Sequence, residues 1–172
     1  MARIQVLGVG NVLMGDDALG PYAVRLFEAR YEVSDDVALV DVGTPGLDLV
    51  PHLAGAEAVV FVDTVRSKGT PGEVRLFRRD EILTVAPPPR VSPHDPGLKE
   101  ALLSLEFAGQ GPADVLLVGV VPESTAQGVG MSGAVRSAVP EVEAEIAREI
   151  ERLGGRVAAR ATPLRPDIWW ER

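Results

Sequence analysis

Short apolar runs at 4–9, 37–42 and 58–62 alternate along the first third of the chain with stretches of a different rhythm. A run that is apolar at nearly every position suits a strand covered on both faces of a sheet. Between the first two runs, Leu19, Ala23, Leu26 and Phe27 recur at helical spacing as far as Arg30 and Tyr31, with Pro21 in a tolerated first-turn position. Between the second and third, Leu47, Leu49, Val50 and Leu53 allow a shorter helix. Strand, helix, strand, helix, strand predicts parallel pairing with right-handed crossovers.

The pattern then changes. Residues 67–72 are rich in turn formers, and 73–77 alternate polar with apolar as a partly exposed edge strand does. Three consecutive prolines, Pro87 to Pro89, bar regular structure. Asp95 followed by Pro96 is a helix start, with Leu98, Leu102, Leu103, Leu105 and Phe107 as the buried stripe. The run 115–121 is the most apolar strand. A long helix is expected from about Ser132 to Leu153, because Val135, Val139, Val142, Ile146 and Ile150 share one face, and Gly154 and Gly155 end it. The expected architecture is an α/β fold of three layers, α/β/α, around a twisted, mainly parallel sheet of about five strands. One domain is expected over 1–155, followed by a tail over 156–172 that has four arginines, Trp169 and Trp170, but no periodicity.

Composition narrows the chemistry. At 172 residues and 46% hydrophobic content, one substantial core is expected and two domains would each be small. The absence of cysteine removes disulfides, thiol nucleophiles, thiolate zinc sites and iron-sulfur ligation, so any metal must take nitrogen and oxygen ligands. A net charge of -8 repels phosphate backbones and anionic lipid heads, which argues against nucleic acid as a partner. With neither a signal-peptide pattern nor an apolar stretch of spanning length, a cytoplasmic protein without membrane contact is expected.

In open parallel sheets, ligands bind beyond the carboxyl ends of the strands. That rule selects Gly10, Asn11, Asp16 and Asp17 after the first strand, and Gly43, Thr44, Pro45 and Gly46 after the second. It also selects Asp63 at the end of the third and Pro122, Glu123 and Ser124 after the strongest. His94, just before the helix start at Asp95, can reach the same rim. Two carboxylates and an imidazole suit a divalent ion such as nickel or zinc. Each residue also has a plainer role. One of Asp16 and Asp17 is expected to cap the helix that follows, and capping is assigned to Asp16 and chemistry to Asp17. Asp63 can fix its own turn, a loop histidine is commonly solvated, and His52 is read as structural. The glycines Gly8, Gly10 and Gly15 break the dinucleotide spacing, no Gly-Lys-Ser/Thr follows, and no Gly-x-Ser-x-Gly elbow occurs.

Six short segments in order, Leu7 to Asn11, Gly15 to Asp17 with Gly20, Asp41 to Gly46, Val62-Asp63, Ser92 to His94, and Val118 to Ser124, make the chain resemble the maturation endopeptidases of nickel-iron hydrogenases. The resemblance runs from residue 4 to about 153, and it implies a compact protein with a mainly parallel sheet between helices. It also implies an activity: one cut that removes a C-terminal extension from the hydrogenase large-subunit precursor after nickel insertion. By that resemblance Asp17, Asp63 and His94 bind metal, although some members carry glutamate at the position of Asp17 and many carry glycine at that of Ala18.

The expected mechanism follows from the resemblance. Asp17, Asp63 and His94 would meet nickel supplied by the substrate, with no organic cofactor, while Gly43, Thr44 and Gly46 line the cleft for an extended peptide. Without nickel, two carboxylates repel an anionic thiolate site, and a bound cation reverses the sign. A monomer is expected to suit a large folded precursor. The competing readings are a non-enzymatic metal- or nucleotide-sensing module and a hydrolase of another small substrate on a related fold.

Overall fold

The computed structural model describes residues 2–44, 49–84 and 98–172. Its main sheet runs in the order β3 (Val37–Gly43), β1 (Ile4–Val9), β4 (Ala58–Thr64), β6 (Asp114–Val120), β5 (Val74–Arg78). Pairing is parallel except for β5, which lies antiparallel to β6 at the edge. The expected three-layer α/β/α architecture is what forms, because β1 and β4 are buried at every position and each face of the sheet needs a cover.

Side chains of a strand alternate between faces, and the two cores divide accordingly. Ile4, Val6, Ala58, Val60 and Val62 turn toward α1 (Leu19–Arg30) and α5 (Gly133–Arg152). Leu7, Val9, Val59 and Phe61 turn toward α2 (Val50–Leu53), α3 (Arg79–Thr84) and α4 (Leu98–Phe107). The chain therefore leaves β1 toward one face and β4 toward the other, so the crevice where ligands gather lies between their carboxyl ends.

Glycine brings α1 unusually close to that crevice. A Cβ on Gly20 would lie 2.2 Å from the Val9 carbonyl oxygen and 2.4 Å from that of Val62, and one on Gly8 would meet the Gly20 carbonyl oxygen at 2.4 Å. These glycines seat a helix directly on two strand ends, which is a packing role and needs no bound nucleotide.

The long helix α5 has the expected inward face, with Val135, Val142, Ile146 and Ile150 wholly buried. Ser132 is its N-cap, its hydroxyl accepting from the Val135 amide at 3.3 Å. Gly154, at φ 86°, ends it in the left-handed region. Pro140 inside the helix is exposed, so its ring meets solvent rather than core.

Three local features depart from the expected pattern. The first helix stops at Arg30, and Tyr31 opens β2 (Tyr31–Val33) instead of extending it. Residues 157–159, in the expected tail, form β7 (Val157–Ala159) antiparallel to β2. Of the shorter helix expected from Leu47, Leu49, Val50 and Leu53, α2 is the described part, with Leu49 as its N-cap, and Leu47 lies outside the described residues. No helix was expected over α3, a short element whose single buried residue, Ile82, carries no periodic signal. The helix start assigned to Asp95 and Pro96 lies outside the described residues. Among those described, no helix is long and apolar enough to cross a membrane.

A candidate active site at the carboxyl rim

Asp63 and Thr64 are consecutive at the end of β4, so alternation sends their side chains to opposite faces. Asp63 shares the parity of Phe61 and turns toward the α2 and α4 face; Thr64 turns toward α1. The Thr64 hydroxyl donates to Asp17 Oδ1 at 3.1 Å, and the Thr64 amide donates to Asp63 Oδ1 at 2.8 Å. One residue thus bonds both carboxylates, which reach the rim from places 46 positions apart in the chain, 17 and 63. Both aspartates are nearly covered, Asp17 at 7% and Asp63 at 5% exposure. The Asn11 amide donates to the second Asp17 oxygen at 2.7 Å, so amide and hydroxyl dipoles offset part of the desolvation of that anion.

Asp17 sits in a short 3-10 helix, Gly15–Ala18, held against the strand ends by glycine. At Gly10, φ is 149° and a Cβ would fall 1.9 Å from the Asp17 carbonyl oxygen, so no other residue allows this approach. On the neighbouring strand Gly43, at φ 58°, accepts from the Gly10 amide through its carbonyl at 2.8 Å, and its own amide donates to Asp41 Oδ1 at 3.0 Å. Thr44 is exposed on the same rim.

Capping of the following helix by Asp16 does not occur. The N-cap of α1 is Ala18, with no side-chain cap, and Asp16 instead serves α5. Its carboxylate, 1% exposed, accepts from the amides of Glu123, Ser124 and Ser132 at 2.8, 3.0 and 2.6 Å and from the Ser132 hydroxyl at 3.0 Å. The negative charge stands at the N-terminus of a 20-residue helix, where the peptide dipoles favour it. The reason lies in the chain path: residues 122–132 pass over the end of β4 and present their amides to the β1 loop. Reciprocal backbone bonds, Gly15 amide to Gly128 carbonyl at 2.9 Å and Gly128 amide to Leu13 carbonyl at 2.8 Å, tie the two loops further.

His94 and Gly46, expected as metal ligand and cleft lining, lie outside the described residues. Among the described residues no three His, Cys, Asp or Glu side chains form a metal-holding group. No sequence motif marks Thr64 and Asn11 as partners of the carboxylates. Strand alternation carried the signal for Thr64, since Asp63 and its successor cannot both face the same layer.

The family model HycI, hydrogenase maturation protease, matches residues 21–149. The chain is 36% identical over 152 residues to the hydrogenase 2 maturation protease of Escherichia coli (strain K12), covering 88% of each. It is 32% identical over 177 residues to the hydrogenase expression/formation protein HupD of Rhizobium leguminosarum bv. viciae, across 99% of this chain and 88% of that one. Its fold matches the hydrogenase maturating endopeptidase HybD from E. coli with a TM-score of 0.86 at 32% identity, covering 92% of this chain and 98% of that one.

Proposed function

The chain belongs to the hydrogenase maturation protease family, an endopeptidase assignment from which we propose that it removes a C-terminal extension from a nickel-iron hydrogenase large-subunit precursor once nickel is in place. In this reading Asp17, Asp63 and His94 meet the substrate's nickel from its open side. The observation that carries it is the Thr64 bridge, which joins two nearly covered carboxylates at the crevice between β1 and β4. The helices on either side of His94 in the chain, α3 and α4, pack on the face toward which Asp63 turns, and this supports the imidazole as third partner.

Nearly covered carboxylates repel an anionic thiolate site and attract it once a divalent cation reverses its charge. The substrate's own metal thereby licenses docking. Cleavage is hydrolysis: water adds to the scissile carbonyl carbon, the carbon-nitrogen bond breaks, and the proton passes to the departing amine. A carboxylate at the rim can accept that proton first as general base, and the cation can polarise the carbonyl. In this reading an extended peptide lies along the rim at Gly43 and Thr44. The protein works as a cytoplasmic monomer on one precursor at a time.

The test compares nickel-loaded and nickel-free precursor incubated with the protein, with the mass of the large subunit as readout. Loss of the extension only from the loaded form is expected, and His94→Ala should stop it with the circular-dichroism spectrum unchanged. Equal processing of both forms would remove nickel from the mechanism. Tight binding of the loaded form with no cleavage would return the chain to the role of a metal sensor.

A further inference from the structure

We propose that Arg25 is a positioning residue through which the C-terminal segment 164–171 holds the Asp41 to Gly43 rim in shape for the substrate peptide. The proposal rests on the reading of that rim as the peptide groove.

Arg25 projects from α1 and meets three groups. Its Nε donates to Asp41 Oδ2 at 2.7 Å, its Nη1 donates to Asp167 Oδ2 at 3.1 Å, and its guanidinium carbon lies 5.9 Å from the centre of the Trp170 ring. The Asp41 side chain is largely covered, whereas that of Asp167 is exposed. The inner pair is therefore shielded from water and the outer one is not.

Asp41 passes the constraint on. Its other oxygen accepts from the Gly43 amide at 3.0 Å, and the Gly43 carbonyl accepts from the Gly10 amide at 2.8 Å. Gly10 is the residue against which the Asp17 carbonyl is packed. A continuous path of hydrogen bonds thus leads from Asp167 through Arg25 and Asp41 to the glycine turns that border the site.

The segment itself is anchored along its length. The Leu164 amide donates to the Ala29 carbonyl at 2.8 Å, Glu171 pairs with Arg136 at 2.7 Å, and Trp170 is buried. Exposed ion pairs add little to stability, so the outer contacts are poorly explained as a source of it. What they do accomplish is to fix the rotamer of one long side chain. A guanidinium offers two carboxylates separate N–H groups in a fixed plane that also lies over a ring face, whereas an ammonium is a compact point charge without that spread.

The experiment uses the full chain. Arg25→Met should raise KM for the nickel-loaded precursor about tenfold with kcat within about twofold, because a charge-assisted hydrogen bond to a shielded carboxylate is lost. Asp167→Asn should raise KM about threefold in the wild-type background and leave it unchanged when added to Arg25→Met. Arg25→Lys should recover only part of the loss. Unchanged KM in Arg25→Met, or an equal Asp167→Asn effect in both backgrounds, overturns the proposal. Amide hydrogen exchange at Gly43 and Gly10 gives a reading that needs no precursor: about threefold faster exchange in Asp167→Asn is expected, and unaltered exchange also overturns it. Should the wild-type protein fail to process any precursor, the exchange result still decides this proposal, while the function proposed above falls separately. Where Arg25→Met does not fold, Asp167→Asn and Arg25→Lys carry the same comparison.

Discussion

The Asp16 carboxylate accepts hydrogen bonds from residues 107 to 116 positions away, whereas its neighbour Asp17 bonds Asn11 and Thr64 at the rim. Replacing each by alanine should separate a structural acid from a chemical one. Asp16→Ala leaves buried amides without acceptors and should lower stability by about 3 kcal/mol or more, hence the melting temperature by about 6 °C or more for a chain of this size. Asp17→Ala should abolish processing with a smaller thermal loss. Scanning calorimetry alongside the precursor assay checks both, and the assignment is reversed if Asp17→Ala melts lower yet still cleaves. The pair of acids at the first rim loop was legible in the chain as a site and a cap. Which helix received the cap was not, because the donors to Asp16 lie on a segment that only the folded path brings alongside.

The first turn of α1 meets the ends of β1 and β4 backbone to backbone, since Gly8 and Gly20 occupy that contact. Gly20→Ala would force its methyl group against two strand carbonyl oxygens, so the helix must lift and carry Asp17 with it. A destabilisation of about 3 kcal/mol or more is expected from overpacking against backbone, together with loss of processing, to be measured by urea unfolding and the precursor assay. A variant as stable and active as wild type would show that the helix can slide without harm. Long elements declared themselves in the sequence: the apolar runs of β1, β3, β4 and β6 and the inward face of α5 are dense signals. The three-residue strands β2 and β7 are too short to show a period, and each exists because the other is there to bond it.

At the scale of the molecule, the layers are joined by charge as well as by apolar packing. Glu149 of α5 is buried and meets Arg78 of β5 and Arg152, which also reaches Asp114 of β6. Burial, the largest single influence, pushes its carboxyl up, but the hydrogen bonds of Arg152 and Arg78 with their charges outweigh it and leave the pKa below its ordinary 4.5. A depressed native pKa contributes stability that is fully present above about pH 4.5 and lost as pH falls through the native value. Glu143 behaves oppositely: burial raises it above 4.5 despite Arg30, so its contribution is greatest in acid and lost as pH rises through the raised value. Glu149→Gln should therefore cost about 3 kcal/mol at pH 7 and progressively less below pH 4.5, followed by urea titration across that range. A penalty that does not change with pH would mean the carboxyl titrates normally. The loop after β1 and the loop after β6 are bonded together at Met14 and Gly128 although β4 stands between their strands. Transplanting either loop alone from a relative should thus fail where transplanting both succeeds, and changes in substrate preference during descent would have to arise in these two segments as a pair.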